Sequence, residues 1–329
     1  MDNSEKLYDV VCVGLLNANL PVKPVDKSVF DVDVTLVDEI DILPGGDAMN
    51  ESITLARLGN RVGLAGMAGS DSFGEIVLNA AREAGVDISN VRMGDSAKTS
   101  VCIMLINGNG DRNFASYRGA NSVYSMKDFD LSILKKTKII NIGSLFALKA
   151  LDGKGTAALF REARANGVIT SADMKYDTYG LGFEGIKETL AYTDYFLPSY
   201  DEAAYLTKEK DPEKMADVLL GTGVKTVVIK LADKGCYIAT PEEGYMIEPF
   251  KTKAVDTTGA GDNFVAGFLT GLVKGWSLRE CGAFANAAGS LSVRYVGPSN
   301  GVRSMEQVLS YMDGYKNSRM GGVQELAQA

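Results

Sequence analysis

The sequence predicts an α/β protein: a doubly wound, mostly parallel sheet with helices on both faces and a small β-sheet standing outside the core. Three observations carry this. Strand and helix signals alternate over most of the 329 residues, the pattern of parallel strands joined by crossover helices. The first strand signal, DVVCV at 9–13, contains a continuous apolar run, as a strand buried on both faces must. Residues 20–43 depart from that pattern. There Val29, Val32, Val34, Leu36 and Val37 mix with Asp31, Asp33, Asp38 and Asp41, which reads as short strands partly open to water.

In chain order, Pro44-Gly45-Gly46 breaks the segment, and Asp47 is placed to cap a helix over 47–58 that stops at Gly59. A strand over 61–68 and a helix over 73–84, closed by Gly85, follow. Segments 99–106 and 113–117 read as a hairpin turned by Asn107-Gly108-Asn109-Gly110 that either belongs to the second sheet or leads into it. Helix is expected over 126–136, 155–166, from 201, and over 215–220; strands over 138–142, 168–172, 195–197 and 226–229. A terminal hairpin at 236–239 and 245–247 precedes a β-prone pair at 254–255 and helices over 263–274, 277–294 and 304–312. The polar tail 316–329 is expected to fray. The whole chain reads as one domain, 1–329.

Composition removes several functions. The net charge of −8 argues against nucleic acid or an anionic membrane as the main partner. With no histidine, a Ser-His-Asp triad, a His general base and His-ligated zinc are impossible. Cys12, Cys102, Cys236 and Cys281 form no C-x-x-C pair, as free thiols in a reducing cytoplasm would not. No apolar run approaches the roughly 20 residues of a membrane span. A Walker A loop is missing, and GLGFEG at 180–185 fits G-x-G-x-x-G but does not directly follow a strand.

Ligands of such sheets bind beyond the carboxyl ends of the strands. The segments to search are 17–19, 143–146, 173–175, 199–202, 230–234 and 252–264. The last reads TKAVDTTGAGDNF. Gly259, Ala260 and Gly261 at a helix start offer unpaired N–H groups and the positive end of a helix dipole, an anion hole. Asp262 at its mouth is placed to take a proton from a hydroxyl attacking a bound phosphorus. The same stretch also reads as a glycine-rich turn with Asp256 or Asp262 as a cap. PGGDAMN at 44–50 is a second close-approach turn, with Asn50 pointing back to it. With Asn17 and Asn19 it forms an amide-rich set suited to polyol hydroxyls, or simply loop chemistry. Asp111-Arg112 and Tyr117-Arg118 bring basic side chains beside the hairpin, fit for a carboxylate or phosphate or for solvent.

With these motifs in place, the chain resembles the ribokinase-like (PfkB) family of carbohydrate kinases over nearly its whole length. DTTGAGD at 256–262 resembles the C-terminal signature, and 45–50 followed by 56–59 the N-terminal one. The resemblance implies a ribokinase-like fold in which 20–43 and 99–118 form a lid. It also implies transfer of the γ-phosphoryl of ATP, with Mg²⁺, to a sugar or nucleoside hydroxyl. Asp262 would be the base and Gly259, Ala260 and Gly261 the anion hole. Asn17, Asn19, Gly45, Gly46 and Asn50 would contact sugar, as would Arg118, whose Tyr-Arg pair resembles that of sugar-acid kinases. Ser199, Glu202, Lys230, Gly235 and Thr258 would lie along the nucleotide, with Glu202 helping to place Mg²⁺. Asp256, Thr258, Gly297 and Gly301 would form a monovalent-cation (K⁺) site. Three residues depart from the family: Ser199 for Asn in N-x-x-E, Asn19 for an Asp, and Asp47 for the Lys of ribokinase. The expected protein is therefore a cytoplasmic sugar kinase, dimeric through its lid. The rivals are a nucleoside kinase on the same fold and a non-catalytic sugar or nucleotide sensor.

Overall fold

The computed structural model describes residues 6–95 and 97–326, with side chains through Tyr315. From the amino end come β1 (Tyr8–Val13), β2 (Asn17–Lys23), β3 (Glu39–Ile40), β4 (Leu43–Gly45), α1 (Asp47–Arg57), β5 (Val62–Gly69), α2 (Ser72–Glu83) and β6 (Asp87–Gly94). The lid hairpin β7 (Ser100–Ile106) and β8 (Arg112–Tyr117) leads to β9 (Thr137–Leu145), α3 (Lys154–Ala165), β10 (Ile169–Met174), α4 (Gly182–Ala191) and β11 (Tyr195–Phe196). Then follow α5 (Tyr200–Thr207), α6 (Pro212–Leu220), β12 (Thr226–Lys230), β13 (Cys236–Ala239), β14 (Gly244–Ile247), α7 (Ala260–Lys274), α8 (Leu278–Ser292) and α9 (Met305–Leu326).

Among the described residues the main sheet has nine strands, ordered β14-β13-β12-β11-β10-β9-β1-β5-β6, with only β13 running against the rest. The run in β1 is inserted between β9 and β5, and alternate residues feed opposite layers. Val11 and Val13 pack with α3, α4, α5 and α6, while Val10 and Cys12 pack with α1, α2, α7 and α8. The chain leaves β1 toward β5 on one side and returns to β9 on the other. The β1/β9 boundary is thus a topological switch point, where a crevice opens at the carboxyl ends of the strands.

The second sheet runs β3-β2-β7-β8, with β4 also on β2. β2 lies parallel to β7, Asn17 opposite Ser100 and Asn19 opposite Cys102, and antiparallel to β4, Asn17 opposite Gly45. The β7–β8 hairpin closes through Asn107 and Gly110, whose φ of +88° is glycine territory.

Several expectations are corrected. Residues 24–38 carry no strand; a 3-10 turn at Lys27–Phe30 and open chain fill the space, because the aspartates favour turns over a ladder. β6 was not anticipated, its sequence DISNVRMG having little apolar run; it survives as an edge strand on β5. The expected helix over 126–136 is two 3-10 turns, Met126–Asp128 and Leu131–Lys136, the second started by Asp130 capping Ser132. Residues 254–255 form no strand, and Val255 is exposed. Asp47 is the first helical residue of α1 rather than its cap, which is Gly46 at φ +94°. The tail stays helical to Leu326; the expected fraying falls, for 327–329, outside the described residues. Among the described residues no helix is long and apolar enough to cross a membrane.

Candidate active site

The two glycine motifs meet. Gly259, in the left-handed region at φ +74°, is the N-cap of α7, and a Cβ there would lie 2.5 Å from the carbonyl oxygen of Pro298. This bend leaves the first turn of α7 facing the crevice. The Ala260 N–H is spent on the Thr257 carbonyl (3.2 Å), so Gly261 and Asp262 supply the open end of the helix. Asp262 is 6% exposed, and its Oδ2 accepts from Asn50 Nδ2 at 2.7 Å. That bond is the first rung of a polar ladder between α7 and the stretch from α1 to Asn60. Thr54 donates to Asn263 Oδ1 (3.0 Å), and Asn60 donates to Thr270 Oγ1 (2.9 Å). Buried polar rungs of this kind fix register where apolar contacts alone would slide.

Two close approaches explain Gly45 and Gly46. A Cβ on Gly45 would fall 2.0 Å from Asn19 Nδ2, and one on Gly46 would fall 2.2 Å from the Leu15 carbonyl. Asn19 therefore crosses directly over the turn. Asn17 Oδ1 accepts from Asn121 Nδ2 (2.8 Å), and Asn121 also receives Leu16 N–H, so Asn121 orients the strand end.

Lys175, after β10, was not singled out by the sequence reading, although segment 173–175 was among those to search. Its Nζ lies 3.6 Å from Asp262 Oδ1 and 3.4 Å from Asp47 Oδ2. Burial works against its charge, but the carboxylates of Asp262, Asp47, Asp173 and Glu202 outweigh burial and hold it well above the usual lysine range. Asp47 is 2% exposed, with the Ser144 hydroxyl and the Lys175 ammonium beside its carboxylate. Burial pushes its carboxyl up, and Lys175 opposes that. Glu51 is fully buried; burial first, then the charges of Asp262 and Asp47, push its carboxyl well above the ordinary carboxylate range, and its Oε2 accepts from Asn141 Nδ2 at 2.7 Å. Any Cβ at Gly143 would come within 2.8 Å of that carboxyl.

The residues expected along the nucleotide follow the strand ends. Lys230, at the end of β12, is paired with buried Asp173, and its Nζ would lie 3.6 Å from a Cβ on Gly261, hence beside the α7 terminus. Burial raises Asp173 to about 7, Lys230 opposing and Glu202 adding to the shift. Ser199 and Glu202 form a capping box at α5, with Ser199 N–H donating to Glu202 Oε2 at 2.7 Å. Their local role is therefore structural as well as positional. Gly235 (φ +89°) turns the loop after β12. A cavity of about 540 Å³ opens there, with Lys230, Gly235, Phe250, Gly261, Phe264 and Asn286 among its walls.

Asp256 is enclosed. Its Oδ1 accepts from Arg112 Nη1 (2.7 Å) and Thr258 N (2.9 Å), and its Oδ2 from Gly297 N (2.9 Å). Arg112 also donates to the Thr258 hydroxyl. Burial opposes the charge, yet these donors hold the carboxyl below its ordinary range. Gly301 packs against the end of α8, where a Cβ would fall 2.5 Å from Ser292 Cα. Arg118 follows β8 half-buried; its carbonyl takes the Ser100 hydroxyl, and its guanidinium makes no ion pair with a described residue. Among the described residues no three His, Cys, Asp or Glu side chains cluster as a metal site.

The sequence matches the profile of the pfkB family carbohydrate kinases over residues 8–305. The chain belongs to that family. As a carbohydrate kinase it is similar to the probable fructokinase-5 of Arabidopsis thaliana, 30% identical over 265 residues covering 75% of this chain and 81% of the relative. Fructokinase-2 of Zea mays is 29% identical over 75% of this chain and 78% of its own. Among solved structures, a putative ribokinase II from E. coli superimposes with a TM-score of 0.83 at 24% identity, covering 93% of this chain and 99% of its own. The fructokinase of Xylella fastidiosa gives 0.82 at 22%, covering 94% and 99%. At these identities the structures speak for the ribokinase-like fold alone.

Proposed function

We propose that this pfkB-family chain transfers the γ-phosphoryl group of ATP to a hydroxyl of a small sugar, with Asp262 as general base. The observation that carries the reading is the buried Asp262 at the open N-terminus of α7, held by Asn50 from the second glycine motif. A carboxylate is a far weaker base than an alkoxide, and so a poor base for a resting alcohol. It serves late, once bond formation to phosphorus has made the hydroxyl acidic. Ala260 carries its N–H back to Thr257, so Gly261 and Asp262 N–H groups would receive the developing charge, with Gly259 setting the bend. Lys175 neutralises Asp262 and Asp47 before substrate arrives, and its ammonium is within reach of a phosphoryl oxygen placed between them.

ATP fits the cavity between the loop after β12 and α7–α8. Phe250, Phe264 and Val293 offer apolar walls, while Lys230 stands at the phosphate end. An E. coli neighbour of this fold was solved with ATP and Mg²⁺. Here Mg²⁺ would be held from the Glu202 side, next to Asp173, where carboxylates crowd, and it would supply charge neutralisation for the phosphates. Asn17, Asn19, Gly45 and Gly46 line the sugar side. Arg118, lacking a protein carboxylate, would give preference to a sugar acid. ADP release measured over fructose, ribose, sugar acids, inositols and nucleosides tests the reading. Turnover with no sugar would refute it, and turnover with nucleosides alone would convert it to the rival nucleoside kinase.

The lid carries the strongest exposed apolar surface: Phe30 is 87% exposed, Val34 73% and Leu36 88%. We propose that a second copy of the chain covers it in solution. Light scattering reporting a monomer at micromolar concentration would refute this.

A further inference from the structure

The resemblance implies a monovalent-cation site at Asp256, and there the structure places a guanidinium. A K⁺ ion is held by oxygen lone pairs, chiefly carbonyl and carboxylate. The Asp256 carboxylate such an ion would need is already taken, by the Thr258 N–H, the Gly297 N–H and the Arg112 guanidinium. The positive charge a cation would supply is already present, and it arrives from the lid, since Arg112 is the first residue of β8. Its two terminal nitrogens reach three side chains in the turn before α7: Asp256, Thr257 (3.4 Å) and the Thr258 hydroxyl. Both charged partners are largely enclosed, at 27% and 15% side-chain exposure, so solvent ions compete poorly with the contact.

We propose that Arg112 is the tethered cation of the Asp256 loop, a positioning residue that makes the enzyme indifferent to K⁺ and ties lid placement to the shape of the anion hole. A free ion orders the loop whatever the lid is doing. A guanidinium carried by the lid orders it only while the lid is docked, so the turn that aims Gly261 and Asp262 is set when substrate is covered. The activity part of this inference rests on the kinase reading above; the ion-binding part does not.

The decisive measurement is the melting temperature of the full chain in KCl and in tetramethylammonium chloride at equal ionic strength, for wild type, Arg112→Met and Arg112→Gln. Wild type should melt at the same temperature in both salts. The variants empty the seat while leaving Asp256, and K⁺ should raise their melting temperature by about 2 °C or more. A K⁺-stabilised wild type, or a folded variant of either kind that ignores K⁺, overturns the proposal. The kinetic counterpart is a wild-type kcat unchanged by K⁺ and a variant kcat lowered in tetramethylammonium and restored several-fold by K⁺. A protein with no kinase activity would sink the proposed function, while the melting comparison would still decide the ion question.

Discussion

Replacing Asp262 by Asn separates a base from a binder. The amide keeps the size of the carboxylate, and its Oδ1 can still accept from Asn50 Nδ2, the 2.7 Å bond that ties α7 to α1. Its NH₂ then faces Lys175, whose Nζ stands 3.6 Å from the present Oδ1. Losing that attraction costs about 1 kcal/mol once screening is counted, because the lysine side chain is 40% exposed. Against this, Asp47 loses an acidic neighbour that raises its carboxyl. The opposing effects leave the melting temperature within about 2 °C of wild type. Catalysis has no such compensation. A general base contributes about 10²–10⁴-fold, or about 2.7–5.5 kcal/mol of barrier, and kcat and kcat/KM should fall together because the proton moves only in the transition state. ADP release gives the rates, and calorimetric titration with ATP and with sugar gives the affinities, which should be unchanged or slightly tighter for ATP. A folded variant that keeps more than about a tenth of wild-type kcat removes Asp262 from the base role.

Lys175→Met should lower kcat about 10²-fold, as losing one preorganised cation does. With its opposing ammonium gone, Asp47 should protonate at higher pH, and a kcat/KM profile whose acid limb does not move would refute the coupling. Asp152, which burial pushes up to about 7, contributes stability that is full below its unfolded value near 4 and lost as pH rises through about 7. Asp152→Asn should therefore flatten the fall in melting temperature between these pH values, and an unchanged slope would show that the group titrates normally. Arg118→Ala should weaken binding of sugar acids while sparing neutral sugars; equal effects on both would end its role in selectivity.

Much of the fold was legible because it is written in local signals. The run in β1, the helix stops at Gly59 and Gly85 and the Asn-Gly turn of the hairpin each state a backbone requirement within a few residues. The glycines before α7 were legible for the same reason. What escaped depends on residues far apart in sequence. Nothing near Asn50 announces that its amide crosses 212 positions to Asp262, and Lys175 reads as an ordinary charged residue until β10 delivers it between two aspartates. Arg112 was seen as a basic residue near the hairpin, but its partner lies 144 positions on. β6 was missed because an edge strand needs no continuous apolar run. The valines at 29–37 misled because apolar residues among aspartates look like an alternating strand even where no neighbour supplies a ladder.

The register of β2 has a bearing on where length variation can be tolerated. Asn17 and Asn19 lie on one face of that strand and Ala18 and Leu20 on the other, the latter pair packed into the core with α1 and α2. A slip of β2 by one residue against β7 would turn the amides to the core and the aliphatics to the crevice, exchanging both at once. Residues 24–38 answer to no such parity, since they carry no ladder. Insertions and deletions among related sequences should therefore gather in that loop, while the stretch from β1 through β2 should change by substitution alone.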